Sequence, residues 1–207
     1  MPPLVPGGRL IHDLAQLKAV FSESAFRAVT ARIMPGTINL PINDPLVLDE
    51  DADLTLEGAS GLEATIIDGG GLTRLIIVRK RGRLRITGVV LRAGSALPGF
   101  GGGLNVEPQA SVTLHHVTID RCTAFVDGDD FGHAYGGGVY VSANATVRIV
   151  NSVINGSCAI NMRNLASARA AGGGVYSLGT VSLHASTVRG CCARTPGRDP
   201  PKMTTHA

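Results

Sequence analysis

Tryptophan is absent from this 207-residue chain, and five phenylalanines and three tyrosines bring aromatic content to only 4%. An interior with so few rings must be filled by aliphatic side chains and must be narrow. Charge is also scarce, at 17% against 44% hydrophobic residues with a formal net charge of +3. That balance excludes a polyelectrolyte tail and gives no general drive toward nucleic acid. No uninterrupted apolar run approaches the roughly 18 residues of a membrane-spanning helix. The first eight residues, Met1 to Gly8, have neither a basic nor an apolar region, so no secretory leader is predicted. The four cysteines form no CxxC or Cys/His cluster, which argues against zinc. With a mean hydropathy of +0.20, the chain can bury a core, and one elongated domain is the economical count.

Glycine is abundant, at 27 residues. Gly101-Gly102-Gly103-Leu104-Asn105-Val106 returns as Gly136-Gly137-Gly138-Val139-Tyr140-Val141 and again as Gly172-Gly173-Gly174-Val175-Tyr176-Ser177, at spacings of 35 and 36 residues. Such a period marks one supersecondary unit stacked on itself. Each triplet is followed by short alternating runs rich in β-branched residues, such as Ser111-Val112-Thr113-Leu114 and Val117-Thr118-Ile119. Three short strands per repeat without an intervening helix predict an all-β fold, a parallel β-helix of five to six coils. An offset of 28 residues places Ile76, Val78, Leu84, Ile86, Val89 and Leu91 under Leu104, Val106, Val112, Leu114, Val117 and Ile119. A further 30 residues places Leu46, Leu48, Leu54 and Leu56 under the same columns. An irregular coil around Val29 to Leu40 joins them to the N-terminus.

The glycine-triplet units resemble the repeats of right-handed parallel β-helix proteins, the pectin-lyase-like superfamily, and more loosely those of polymorphic outer-membrane proteins. The likeness spans residues 28 to 193. Residues 1–27 are read as an N-terminal segment with a helix, because Asp13 can cap and Leu14, Leu17, Val20 and Phe21 share one face. By analogy with the family, that helix covers the end of the hydrophobic tube. Residues 194–207, with prolines at 196, 200 and 201 and no apolar period, are read as a disordered tail. The last coil is then uncapped and open to end-to-end association.

The same offset disposes of a basic run. It sets Asp49, Glu50, Asp51 and Asp53 against Arg79, Lys80, Arg81 and Arg83, with Glu107 over Arg79, so the run reads as an ion-pair ladder between coils rather than as an anion-binding patch. No nucleic-acid partner is predicted. Cys158 and Cys192 fall on adjacent coils within the reach of a disulfide. Buried free thiols remain the plainer reading, and Cys122 is expected to pair with neither.

Candidate chemistry lies on the long segments Phe125 to Tyr135 and Ile160 to Ala171, which both lead into triplets. In the resembled family the outward face of the first strands forms a polysaccharide groove. Asn105, Tyr140, Tyr176 and Arg163 are the corresponding groove residues, with the two tyrosine rings stacked one strand spacing apart and outside the core. Asp129, Asp130, His133 and Arg169 are the catalytic candidates. Asp127, Asp129 and Asp130 are candidate ligands for Ca²⁺, which needs several oxygen donors. The resemblance implies a non-catalytic scaffold or interaction module at a cell surface or outside the cell, with a polysaccharide or cell-surface partner. Its alternative is a carbohydrate-active enzyme, either a polysaccharide lyase or a glycosidase.

Overall fold

The structure, a computed structural model, describes residues 8–59, 64–127, 132–162 and 169–195. It is all-β with one helix among the described residues. Every strand pairing is parallel, because each run of alternating residues meets its counterpart from the neighbouring repeat and not a hairpin partner.

Three long sheets carry the architecture. The first holds Arg9–Ile11, Val29–Ile33, Asp53–Gly58, Arg83–Thr87, Ser111–His115, Thr146–Val150 and Thr180–His184. The second holds Gly36–Asn39, Thr65–Asp68, Val89–Arg92, Thr118–Asp120, Val153–Asn155 and Thr187–Arg189. The third holds Leu46–Leu48, Ile76–Val78, Leu104–Val106, Val139–Val141 and Val175–Ser177. Within each sheet the spatial order is the sequence order. The chain visits the third, first and second sheets in turn and comes back one strand further along, so each repeat adds one strand to every sheet.

The predicted columns are the observed registers. Leu46, Ile76, Leu104, Val139 and Val175 align in the third sheet, and Leu54, Leu84, Val112, Val147 and Val181 in the first. Alternation sends these side chains to one face, where residues from all three sheets join a single aliphatic core. Leu17, Val20 and Phe21 of the helix Leu14–Glu23 belong to that core too. Asp13 caps the helix by accepting the Gln16 N–H at 2.8 Å. Bends are closed from the next repeat: Ser152 Oγ accepts the Val117 N–H at 3.0 Å, and Ser157 Oγ accepts the Cys122 N–H at 3.2 Å.

Four features depart from the expected pattern. Each later repeat has a fourth strand, giving a sheet of Ser95–Ala96, Thr123–Val126, Cys158–Asn161 and Cys192–Arg194. Its inward residues are Ala96, Ala124 and Ala159, with Val126 and Asn161 at the strand ends, all buried, and the alanines are too small to advertise a strand. The segments taken as loops from Phe125 and Ile160 are therefore shorter, and they end in the paired strands Ala134–Tyr135 and Ala170–Ala171. Arg9–Ile11, three residues without a visible period, adds a strand beside Val29–Ile33. The ladder forms through Asp49–Arg79 at 3.4 Å, Asp51–Arg81 at 2.6 Å and Asp53–Arg83 at 3.0 Å. Glu50 reaches Arg81 at 3.7 Å instead of Lys80, because Asp51 and Arg81 sit in a turn with φ of 59° and the long guanidinium spans both carboxylates. Glu107 lies within electrostatic reach of Arg74. The fourth departure is covalent: Cys158 and Cys192, paired in register, are joined in a disulfide, while Cys122 and Cys191 are free.

The last repeat is less covered than those before it. Leu183 and Val188 are 49% and 45% exposed, whereas their register partners Ile149 and Ile154 are each 1% exposed. Among the described residues no helix is long and apolar enough to cross a membrane.

Candidate functional site

The glycine triplets are what bring side chains together. Their first members, Gly101, Gly136 and Gly172, have φ of 62°, 65° and 61°, a left-handed conformation that side chains resist. Their second members lie against the fourth sheet. A Cβ on Gly102, Gly137 or Gly173 would collide with the backbone of Thr123, Cys158 or Cys192 respectively. The fourth sheet is thus held hard against the turn that enters the third. The residue just before a triplet and the outward residue just after it become neighbours.

Four rings meet there. Tyr140 and Tyr176 are register partners in the third sheet, with ring centroids 5.8 Å apart and planes within 4°. Tyr135 stacks on Tyr176 at 4.3 Å and 7°. Phe100 contacts Tyr140 at 5.0 Å and Tyr135 at 5.9 Å, both tilted. His133 lies 5.4 Å from the Tyr135 ring, and its Nδ1 is buried with no hydrogen-bond partner. All three tyrosines of the chain are in this cluster, and each is half-buried. Arg74 braces the segment below by donating from Nε to the carbonyls of Phe100 at 2.9 Å and Gly101 at 3.1 Å. Burial lowers its pKa from the usual guanidinium value, with Glu107 opposing.

Two of the phenols, Tyr135 and Tyr140, are held protonated. Burial first, and then the neighbouring Tyr176, raise the pKa of Tyr135, with Arg169 pulling the other way. Burial likewise leads for Tyr140, followed by Tyr176, against a hydrogen bond with Ser142. At neutral pH both present neutral hydroxyls that donate and accept.

Asn105, Tyr140 and Tyr176 stand in one column of the third sheet, with Ile77 before them. Arg169 is exposed, directly precedes the strand Ala170–Ala171 and acts electrostatically on Tyr135, while its carbonyl accepts from Ala134 N–H at 3.0 Å and Asn161 Nδ2 at 3.1 Å. His133 joins the rings through Tyr135. Asp127 follows the strand Thr123–Val126. Asp129, Asp130 and Arg163 lie outside the described residues. Among the described residues no group of three or more His, Cys, Asp or Glu is placed to hold a metal ion.

Tyr140 and Tyr176 lie outside the aliphatic core, as expected, but each ring also packs on two others. Phe100 and Tyr135 were missed, although a signal existed: both immediately precede a triplet, at positions that bridge in the sheet. Cys122 is not available as a nucleophile, since burial pushes its thiol up to about 12.

Fold and cluster together define an all-β repeat protein with an aromatic site where parallel sheets adjoin. In comparisons with protein-family models, with curated proteins and with solved structures, the chain matches none.

Proposed function

We propose that the chain is a right-handed parallel β-helix of pectin-lyase-like form that acts as a non-catalytic interaction module and binds glycan through the Phe100, Tyr135, Tyr140 and Tyr176 cluster. The observation that carries this reading is the concentration of every tyrosine of an aromatic-poor chain at one half-buried place. A sugar offers two complementary features, an apolar C–H face and a rim of hydroxyls. Ring faces and neutral phenols answer both. Tyr135 and Tyr140 both belong to the repeat before Tyr176 and lie parallel to its ring, so the three phenols form one stacked surface. Arg169, beside Tyr135, adds a cationic donor for ligand oxygens.

The helical form is supported by the fixed order in which the chain visits three parallel sheets and by the core they share. A location at a cell surface or outside the cell accords with this reading and with the disulfide. Calcium through Asp127 and its neighbours belongs to the enzymatic alternative, for which no arrangement of side chains among the described residues speaks.

The test is retention of the intact chain on immobilised neutral and acidic polysaccharides. Wild type and Tyr176→Phe should be retained, and Tyr176→Ala should be lost at a temperature where it remains folded. Failure of wild type to bind any glycan ends the reading. Unsaturated product from polygalacturonate with added Ca²⁺ would replace it with a lyase.

A further inference from the structure

We propose that the Cys158–Cys192 disulfide is a redox-operated clamp on the aromatic cluster, holding Tyr176 in place when oxidised and releasing it when reduced by a dithiol. The bond joins register partners on the last two strands of the fourth sheet. Its column runs Ser95, Thr123, Cys158, Cys192, the partly exposed face of that sheet, while the opposite face carries the buried alanines. The bond thus lies on the face of the sheet away from the buried alanines, at two residues that are only partly buried.

What the clamp holds follows from the triplet. Gly173 lies so close to the Cys192 backbone that no Cβ fits between them, and Tyr176 is three residues further along. The strand Cys192–Arg194 is thus the backing against which the turn Gly172–Gly174 is pressed before it delivers Tyr176 onto Tyr135 and Tyr140. Parallel ladders to the preceding repeat and the packing of Val175, Val181 and Cys191 on the core also hold this repeat, but its anchorage is thinner than that of earlier ones. Leu183 and Val188, which should anchor it in the core, are about half exposed. Without the covalent link, local opening of the last repeat lets Tyr176 leave its partners.

The chemistry balances with the named reductant. One thiolate of the dithiol attacks a sulfur of the Cys158–Cys192 bond, forming a mixed disulfide and releasing the other cysteine as a thiolate, which takes up a proton. The second thiol of the reductant then displaces the remaining cysteine, leaving two protein thiols and one reductant disulfide. Neither free cysteine competes. Cys122 is buried, and Cys191 turns toward the carbonyls of Arg189 at 3.3 Å and Ile154 at 3.9 Å.

The structural half of the proposal stands on the fold alone, and its effect on ligand rests on the glycan reading. Hydrogen exchange of the full chain, oxidised and after dithiothreitol, separates the two. Amides in 173–178 and 192–194 should exchange about tenfold faster or more after reduction, while those in Arg83–Thr87 and Leu104–Val106 should not change. Cys158→Ser with Cys192→Ser should show the fast exchange without reductant, and Cys191→Ser should behave as wild type. Unchanged exchange in 173–178 overturns the clamp, and so does loss of protection in every repeat, which would be global unfolding. Glycan retention should fall on reduction and return on reoxidation. Fast exchange in a protein that binds no glycan even when oxidised would uphold the clamp and sink the ligand.

Discussion

Replacing Tyr176 by alanine tests whether the rings are a packed unit or a set of independent surface groups. Tyr176 makes two parallel contacts, to Tyr135 at 4.3 Å and to Tyr140 at 5.8 Å. Each such pair is worth about 0.5–1.5 kcal/mol beyond area burial, so Tyr176→Ala should destabilise the protein by about 1–3 kcal/mol. For a chain of this length that is a fall in Tm of about 2–12 °C. Tyr176→Phe keeps both stacks and should stay within about 0.5 kcal/mol of wild type. Urea unfolding of wild type, Tyr176→Ala, Tyr135→Ala and the double variant gives the coupling between the closer rings, expected at about 0.5–1.5 kcal/mol. An alanine variant as stable as wild type, with no coupling to Tyr135, would refute the packed cluster and remove the rigid platform that the glycan reading needs.

Two further outcomes are expected. Arg83→Glu opposes Asp53 and should cost around 1 kcal/mol in urea unfolding, and adding Asp53→Arg should restore only part, because Arg85, 3.2 Å from Asp53, then faces a like charge; a coupling near zero, or one insensitive to salt, would contradict the ladder. The raised phenol pKa values of Tyr135 and Tyr140 mean that the folded protein keeps protons the unfolded chain gives up, so their contribution to stability should be constant below the ordinary tyrosine value of 10.0 and fall above it, on top of the fall from 9.0 upward that the raised Cys122 thiol adds; chemical denaturation across that range should show a shallower fall above 10.0 in Tyr135→Phe with Tyr140→Phe.

The repeat was legible because a strand's two faces differ. Leu84, Val112 and Val147 alternate with polar neighbours, and a register error of one residue would have put all of them outside. The ladder was legible for the same reason, since one offset places four acids near four bases. The fourth sheet was not, because alanine at its repeated inward column, Ala96, Ala124 and Ala159, gives the pattern little amplitude. The turns of the ladder were legible only approximately: a left-handed residue at Asp51 and Arg81 swings side chains out of the strand period. At the site, Tyr140 and Tyr176 could be placed from register alone. Tyr135 and Phe100 could not, because their proximity depends on how closely two backbones approach, which the triplets permit but alternation does not reveal.

The means of fixing one repeat against the next change along the chain, and the site falls where they change. Early junctions use charge: Arg32 with Glu57 at 3.1 Å, Asp53 with Arg83 and Arg85, and Asp68 with Arg92 at 2.6 Å. Asp120 still accepts from Asn155 Nδ2 at 2.8 Å at the next junction, but between Asp130 and Asp199 the sequence has no acidic residue at all. Arginines continue, at 148, 163, 169, 189, 194 and 198. Opposite-charge pairing is therefore unavailable in the last two repeats, and three other devices occupy the same role: glycine triplets that let backbones touch, stacked tyrosines that match register ring to ring, and the disulfide. Each is more demanding of geometry than an ion pair between flexible side chains. They leave an end that is cationic and carries all three phenol hydroxyls of the chain, with no carboxylate from these repeats. The proposed glycan, with an apolar face and a rim of hydroxyls, is therefore assigned to these repeats and not to the charge-laddered ones, where Arg79, Arg81, Arg83 and Arg85 already face acids.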